Sequence, residues 1–347
     1  MAIEHGTEPR TDASPRRPAR VAGMIIALVA AAVVVLLLSW PQSLGAQRLP
    51  GVAQLISFRG VLAAGFGAVA VIVGIVALIR RRRRPVIALT LAVTLAGGAA
   101  VNGGVLAARG PGSDALPGGD LVVMVWNTQG GATTPEEIAR VAAEVHADVV
   151  SLPETDEDAV AEVARLLAED GIDMTPHTVG DRWEIPTSLL VAERLGDYRL
   201  DRGAGSTPGL PSGVWRKTAG DGPATIVAAH PLPPLPTMMG EWKDGLEWIA
   251  GICDSPDAVV AGDLNATLDH LTGLGTDGHL IGGCDDAASS AGGGAAGTWP
   301  STVPEWVAAP IDHVLHGAAW RSAGVQTPDT RSGGSDHRPI VVVLDRR

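Results

Sequence analysis

At 347 residues with a formal net charge of −12, the chain is long enough for a membrane-anchoring portion and one soluble domain of about 150 to 250 residues. Residues 1–108 carry eleven Arg and three acids (Glu4, Glu8 and Asp12), a charge of +8, which leaves −20 for residues 109–347. So acidic a domain repels polyanions, because nonspecific nucleic-acid binding depends on Lys and Arg neutralising phosphates. Nucleic acid is therefore the less favoured substrate.

Residues 1–20 read as a cytoplasmic N-terminal segment and residues 21–108 as three transmembrane helices. Val21 to Ser39, Gly60 to Ile79 and Pro85 to Ala108 contain no Asp, Glu, Lys or Arg, and each is close to the roughly 20 residues that cross a bilayer. A signal peptide is the alternative reading of the first stretch, but the two later spans hold the protein in the membrane either way. Arg10, Arg16, Arg17 and Arg20 precede span one, and Arg80 to Arg84 separate spans two and three. Short cytoplasmic flanks collect Lys and Arg, so an odd number of spans places everything after Ala108 outside the cytoplasm. The Arg80 to Arg84 run could also be a patch for nucleic acid or anionic lipid, but its position between two apolar runs is that of a topology signal. Arg48 and Arg59, in the first outer loop, run against the pattern.

A linker, "RGPGSDALPGG", follows at 109–119, its Gly and Pro opposing continued helix, and residues 120–347 form the outer domain. "LVVMVW", Leu121 to Trp126, has strand character. "TPEEIARVAAEVHA" reads as a helix capped by Thr134 with Pro135 in its first turn. "DVVSL" is a second buried strand and "EDAVAEVARLLAED" a second amphipathic helix. Beyond lie shorter strand-like runs, "SLLVAE", "ATIVAAH", "DAVVAG", "PIDHVL" and "PIVVVL", a helix over Glu241 to Ile252, and a flexible loop "AASSAGGGAAGTWP" around Trp299. Strands outnumber helices, a mixed α/β pattern compatible with two packed sheets flanked by helices. Cys253 and Cys284 are the only cysteines; as an even pair in an oxidising compartment they are expected to form a disulfide, the alternative being two buried thiols.

Polar residues recur at or just past the carboxyl ends of these strands, where α/β sheets tend to place ligands. "VMVWNTQG" delivers Asn127, "DVVSLPET" Glu154, "IVAAHP" His230, and "VVAGDLNAT" Asp263 and Asn265; "PIDHVL" adds Asp312, and "SGGSDHRPIVVV" adds Asp336 and His337. Taken singly, each has an ordinary reading: a turn Asn, a solvated carboxylate, a Gly-Asp turn, a satisfied histidine at a strand end. The ordered set is more informative. With "GDLNA", "IDHV" and "SDHRPI" it resembles the endonuclease/exonuclease/phosphatase superfamily, with the deoxyribonuclease-I-like fold, over roughly Leu121 to Asp345. That resemblance implies a four-layer α/β/β/α sandwich with the active site at one end of the sheets. It implies Asn127, Glu154 and Asp336 at a metal, Asp263 and Asn265 at the attacking water and phosphate, and Asp312 orienting His337.

The chemistry asks for these residue types. Mg²⁺, or Mn²⁺ in its place, neutralises a phosphate ester and is held by one or two carboxylates rather than a Cys or His cage. Asp263 can accept a proton from the attacking water, while His230 and His337 can donate to the developing anion or the leaving oxygen. Gln129 stands where several nucleases of the superfamily carry an acid, and the domain is short of aromatic and basic loop residues. His146, His177, His270, His279 and His316 show no metal spacing and are expected on the surface or in loops; Trp126 and Trp299 are candidate walls of the site. The expectation is a multi-pass cell-membrane protein with an extracytoplasmic, Mg²⁺-dependent phosphoesterase domain, above all a phosphodiesterase acting on a phosphate-ester substrate. A nuclease on the same fold and a catalytically silent sensor domain are the alternatives.

Overall fold

The computed structural model describes residues 16–79, 85–112, 115–181, 183–330 and 334–347. Three helices are long and apolar enough to cross a membrane: α1 (Arg16–Ser39), α3 (Arg59–Ile79) and α4 (Pro85–Arg109). Between the first two, residues 40–58 form an elbow that contains the short helix α2 (Val52–Ile56). Arg10 and the Arg80 to Arg84 run, used for orientation, lie outside the described residues.

The remaining chain is built on two sheets. The first has strand order β13-β14-β1-β2-β4-β3, with β1 (Leu121–Val125), β2 (Val149–Pro153), β3 (Met174–Val179), β4 (Thr187–Ala192), β13 (Trp320–Gln326) and β14 (Ile340–Arg346). The second runs β5-β6-β7-β8-β12-β11-β10-β9. Its strands are β5 (Tyr198–Leu200), β6 (Gly213–Lys217), β7 (Thr225–Ala229), β8 (Ala258–Asp263), β9 (Leu274–Gly275), β10 (Ile281–Gly282), β11 (Cys284–Asp286) and β12 (Asp312–Gly317). β1 and β2 face β7, β8 and β12, and the buried Val, Leu and Ile of these strands form the inter-sheet core. The Ser151 hydroxyl crosses that core to donate to the Ala261 carbonyl at 2.8 Å, satisfying a polar group that would be costly to bury unpaired.

Helices α5 (Pro135–Glu144) and α6 (Glu157–Glu169) cover the first sheet, and α7 (Met239–Ile252) covers the second. Thr134 caps α5 by accepting from the Glu137 amide, and Asp156 caps α6 by accepting from Ala159, as oxygen side chains at helix starts do. The result is the expected four-layer α/β/β/α sandwich behind N-terminal membrane helices. The "AASSAGGGAAGTWP" segment is more ordered than a flexible loop. Asp286 caps the short helix α9 (Ala287–Ser290), and Gly292, Gly294 and Ala295 exchange backbone hydrogen bonds with residues 109–112.

Strand direction explains where chemistry gathers. β1 and β2 are parallel, as are β7 and β8, so their carboxyl ends lie at one edge; β12 and β14 are antiparallel to β8 and β1 and present their starts there. Asp312 is directly opposite Asp263 across the β8–β12 pair.

The elbow is fastened to this sandwich. Asp269, in helix α8 (Leu268–Leu271), receives bidentate bonds from Arg59 at 2.7 and 2.8 Å and from Arg109 at 3.0 and 2.8 Å, with Gln42 adding a fifth at 2.6 Å. Arg48 donates to the carbonyls of His270 and Thr272. These contacts account for two arginines that fitted the topology pattern poorly: both neutralise or cap groups of the folded domain. They also correct the surface reading of His270, which is fully buried with Nε2 against the Ala53 carbonyl at 3.0 Å. His316 is buried as well.

Candidate active site

Seven of the eight singled-out residues line one cavity of about 660 Å³ at the common strand edge: Asn127, Glu154, His230, Asp263, Asn265, Asp336 and His337. Asp312 lies beneath its floor, bonded to His337.

Asn127 leaves β1 and places Nδ2 between two carboxylates, 3.0 Å from Glu154 Oε1 and 3.1 Å from Asp263 Oδ2, while its Oδ1 accepts from the Gln129 amide. Glu154 follows Pro153 with φ of 62°, a left-handed backbone that is rare for a non-glycine residue. Gln129 (φ 52°) and Asn265 (φ 47°) share it. Of the five non-glycine residues in this region among those described, three line the cavity. Such conformations cost about 1–3 kcal/mol each and gather where a site over-determines its geometry.

Asp263, at the end of β8, is buried; its Oδ1 accepts from the Asn265 amide at 2.8 Å. Burial raises its carboxyl pKa to about 7, against the opposing pull of His337 and the bonds from Asn265 and Asn127. Asn265 in turn donates to the Pro231 carbonyl at 3.0 Å. His230 follows β7, is 1% exposed, and keeps Nε2 3.9 Å from both Glu154 and Asp263. Its backbone amide donates to the Ser212 hydroxyl. Burial foremost, and then the charge of His337, lowers its pKa to about 3, so its imidazole is neutral.

His337 is the opposite case. Nδ1 is 2.8 Å from Asp312 Oδ2, and Nε2 is 3.7 Å from Asp263 and 3.9 Å from Asp336. Burial alone would lower its pKa, but the surrounding carboxylates, Asp312 first, outweigh it and raise the value to about 10. The two histidines of the site are thus one cation and one neutral ring.

The rim is held by a second set of contacts. Trp299 Nε1 donates to Asp336 Oδ2 at 2.9 Å, and the Asp336 amide donates to Gln129 Oε1 at 3.0 Å. The Ser335 hydroxyl donates to the Asn127 carbonyl at 2.5 Å, tying the "SDHR" segment to the end of β1. Arg338 donates to the carbonyls of Gly297, Pro300, Ser301 and Val303, fixing the turn that carries Trp299. Trp299 lines the cavity as expected. Trp126 does not: it is buried behind the site and donates to the His337 carbonyl at 3.1 Å.

Residues 124–337 match the model of the Endonuclease/Exonuclease/phosphatase family. The chain belongs to that family. Among solved structures it is similar to D. rerio TDP2 complexed with single strand DNA product, at 18% identity over 65% of this chain and 98% of that one, with a TM-score of 0.51. Truncated Caenorhabditis elegans TDP2 aligns at 16% identity over 65% and 97% of the two chains, TM-score 0.49. An endonuclease/exonuclease/phosphatase from Beutenbergia cavernae DSM 12333 aligns at 20% over 65% and 71%, TM-score 0.46. At these identities the first likeness speaks for the fold. No curated protein sequence matches the chain.

Members of the endonuclease/exonuclease/phosphatase family are metal-dependent hydrolases of phosphate ester bonds, and this chain is a hydrolase of that class. The donor set fits a hard divalent cation, since oxygen ligands dominate and no cysteine is near. Asp263, Asp312 and His337 also bring three ligand atoms within 4.8 Å of one another. The 2.8 Å contact commits Asp312 and His337 to each other.

Several lining residues were missed in the sequence. Gln54, Ser57 and Phe58 come from the elbow, and Leu232 to Leu235 with Met238 from the proline-rich run after His230. The second group was signalled by "HPLPPLPTMM", whose prolines preclude helix and sheet; the first carried no signal.

Proposed function

We propose that the protein is a membrane-anchored, Mg²⁺-dependent phosphodiesterase whose catalytic domain faces away from the cytoplasm. One observation carries the reaction: a cationic His337 buttressed by Asp312 at 2.8 Å, facing Asp263 across 3.7 Å over a cavity bounded by Glu154 and Asn127. Glu154 and Asn127 would hold the cation, with Asp336 as the further oxygen donor at the rim. The bound cation supplies charge neutralisation of the phosphoryl oxygens.

The chain's own residues do the rest. Asp263 accepts a proton from water as the water oxygen bonds to phosphorus. Asn265, with its left-handed backbone fixed by Asp263 and Pro231, orients a phosphoryl oxygen. His337 donates from Nε2 to the departing ester oxygen as the P–O bond breaks, giving a phosphate monoester and an alcohol. The proton on Asp263 then returns to His337, and Asp312 keeps the ring oriented throughout. Neutral His230 can donate a hydrogen bond without adding charge beside the cation.

Orientation rests on the arginine distribution and on the Cys253–Cys284 disulfide, whose Cα atoms are 5.3 Å apart, as suits an oxidising compartment. The nuclease alternative is weakened because no Lys or Arg lines the cavity among the described residues. The test is turnover of bis(4-nitrophenyl) phosphate and 4-nitrophenyl phosphate by the full chain in detergent, with Mg²⁺ or with EDTA. Mg²⁺-dependent turnover favouring the diester is expected. Preference for the monoester would make it a phosphatase, and no turnover of either would leave a silent domain.

A further inference from the structure

The cavity has two chemically distinct walls. Its floor is the more buried polar cluster just described, whereas the less buried Phe58, Leu210, Leu232, Leu235 and Met238, with Gln54 and Ser57 beside them, make its mouth. Part of that mouth abuts a membrane helix: Phe58, the last residue of the elbow, immediately precedes Arg59, the first residue of α3, and its ring lies 6.0 Å from Trp299. The elbow is fixed there. Gln54 donates to the Pro234 carbonyl, His270 contacts the Ala53 carbonyl, and Asp269 binds the residues at the outer ends of both α3 and α4. The site therefore opens at the level where the apolar helices end. Trp40, Leu44, Leu49 and Leu55 of the elbow and Leu235 of the mouth are exposed, and apolar and aromatic residues at such a level belong to the bilayer interface.

We infer that the substrate is a phosphodiester lipid drawn directly from the bilayer, its phosphate on the polar floor and its hydrocarbon leaving past Phe58 and Leu235. This deepens, and rests on, the phosphodiesterase reading. A hydrophilic ester would meet a mouth with few donors for its hydroxyls, and a polyphosphorylated one would find no Lys or Arg lining the cavity among the described residues. A phospholipid such as phosphatidylethanolamine or phosphatidylglycerol carries a single diester, and its hydrocarbon replaces interfacial water against the apolar wall. The hydrolytic step is the one given above: water adds to phosphorus, one P–O bond breaks, and the departing oxygen takes the His337 proton.

The experiment uses the full chain in nanodiscs of phosphatidylethanolamine, phosphatidylglycerol and cardiolipin with Mg²⁺, following lipid phosphorus by ³¹P NMR, and bis(4-nitrophenyl) phosphate as the water-soluble diester. Expected are conversion of lipid diester to monoester or released headgroup phosphate, and a ratio of lipid to soluble-diester turnover that falls about tenfold or more in Phe58→Asp and recovers in Phe58→Leu. Turnover of the soluble diester with intact lipid overturns the inference and leaves the phosphodiesterase reading standing; turnover of neither overturns both. An unchanged ratio in a folded Phe58→Asp also overturns it, and if that variant does not fold the wild-type comparison decides alone.

Discussion

Replacing Asp269 by Asn tests whether the elbow and the catalytic sandwich behave as one body. The carboxylate is about 2% exposed and takes four bonds from Arg59 and Arg109, Arg59 itself being 3% exposed. Despite burial, which opposes ionisation, these two guanidinium groups hold the Asp269 carboxyl well below the usual carboxylate range. Asn keeps the shape but leaves the Arg59 charge buried without its counter-ion. Breaking a buried pair in this way costs about 3–5 kcal/mol, against about 0–1 for an exposed pair. At about 1.4 kcal/mol per decade, amides of residues 40–58 should exchange at least about 100-fold faster in Asp269→Asn. The assay is hydrogen exchange with mass spectrometry on detergent-solubilised protein, with the α5 and α6 peptides as internal reference. A change below about fivefold, the scale of an exposed pair, would refute the clamp.

Asp312→Asn and His337→Ala should each lower kcat on a diester by about 100-fold or more, and the double variant should lose little beyond either single one, as residues acting as a unit do; losses that multiply would separate them. Thiol labelling of denatured, unreduced protein taken from membranes should find no reactive cysteine, and two after reduction; two before reduction would contradict both the bridge and the outward orientation. In the chain-entropy model, a bridge spanning 31 residues contributes roughly 3 to 4 kcal/mol, so Cys253→Ser with Cys284→Ser should lower the stability of the sandwich by up to that amount. The Asp269 clamp also has a pH signature. Because its folded pKa is depressed, its contribution is complete above the unfolded carboxyl value near about 3.9 and is lost as pH falls through the folded value. Elbow exchange, corrected for intrinsic rates, should be flat from neutral to about pH 5 and rise only in stronger acid; loosening near pH 6 would implicate another group.

The sandwich was legible because its central strands are apolar β-branched runs, long enough to stand out and each ending in a polar residue. Asn127, Glu154 and His230 follow, and Asp263 ends, strands that are paired parallel two by two, so direction carries each pair to one edge. The short edge strands β5, β9, β10 and β11 were not legible, having two or three residues each and no alternation to read. The pairing of Asp312 with His337 was expected from the resemblance and is present at 2.8 Å; the burial that leaves His230 neutral was not legible, because a lone histidine after a strand carries no sign of it. The elbow was the largest omission. Gln42, Gln47, Arg48 and Gln54 look like a solvated loop, and their partners lie at Asp269, Thr272, His270 and Pro234, more than 170 residues away in the chain. Pairings so distant leave no periodicity behind.

Glu154 is the residue on which the proposed metal-assisted reaction depends most directly. Its carboxylate shares Asn127 with Asp263, and its backbone is left-handed. Glu154→Gln preserves shape and hydrogen bonding while removing the charge that would hold the cation. Measured on bis(4-nitrophenyl) phosphate across a Mg²⁺ titration, this variant should lose turnover by about 100-fold or more with unfolding unchanged. Near-wild-type turnover at saturating Mg²⁺ would return Glu154 to the solvated carboxylates and contradict the proposed metal-assisted site.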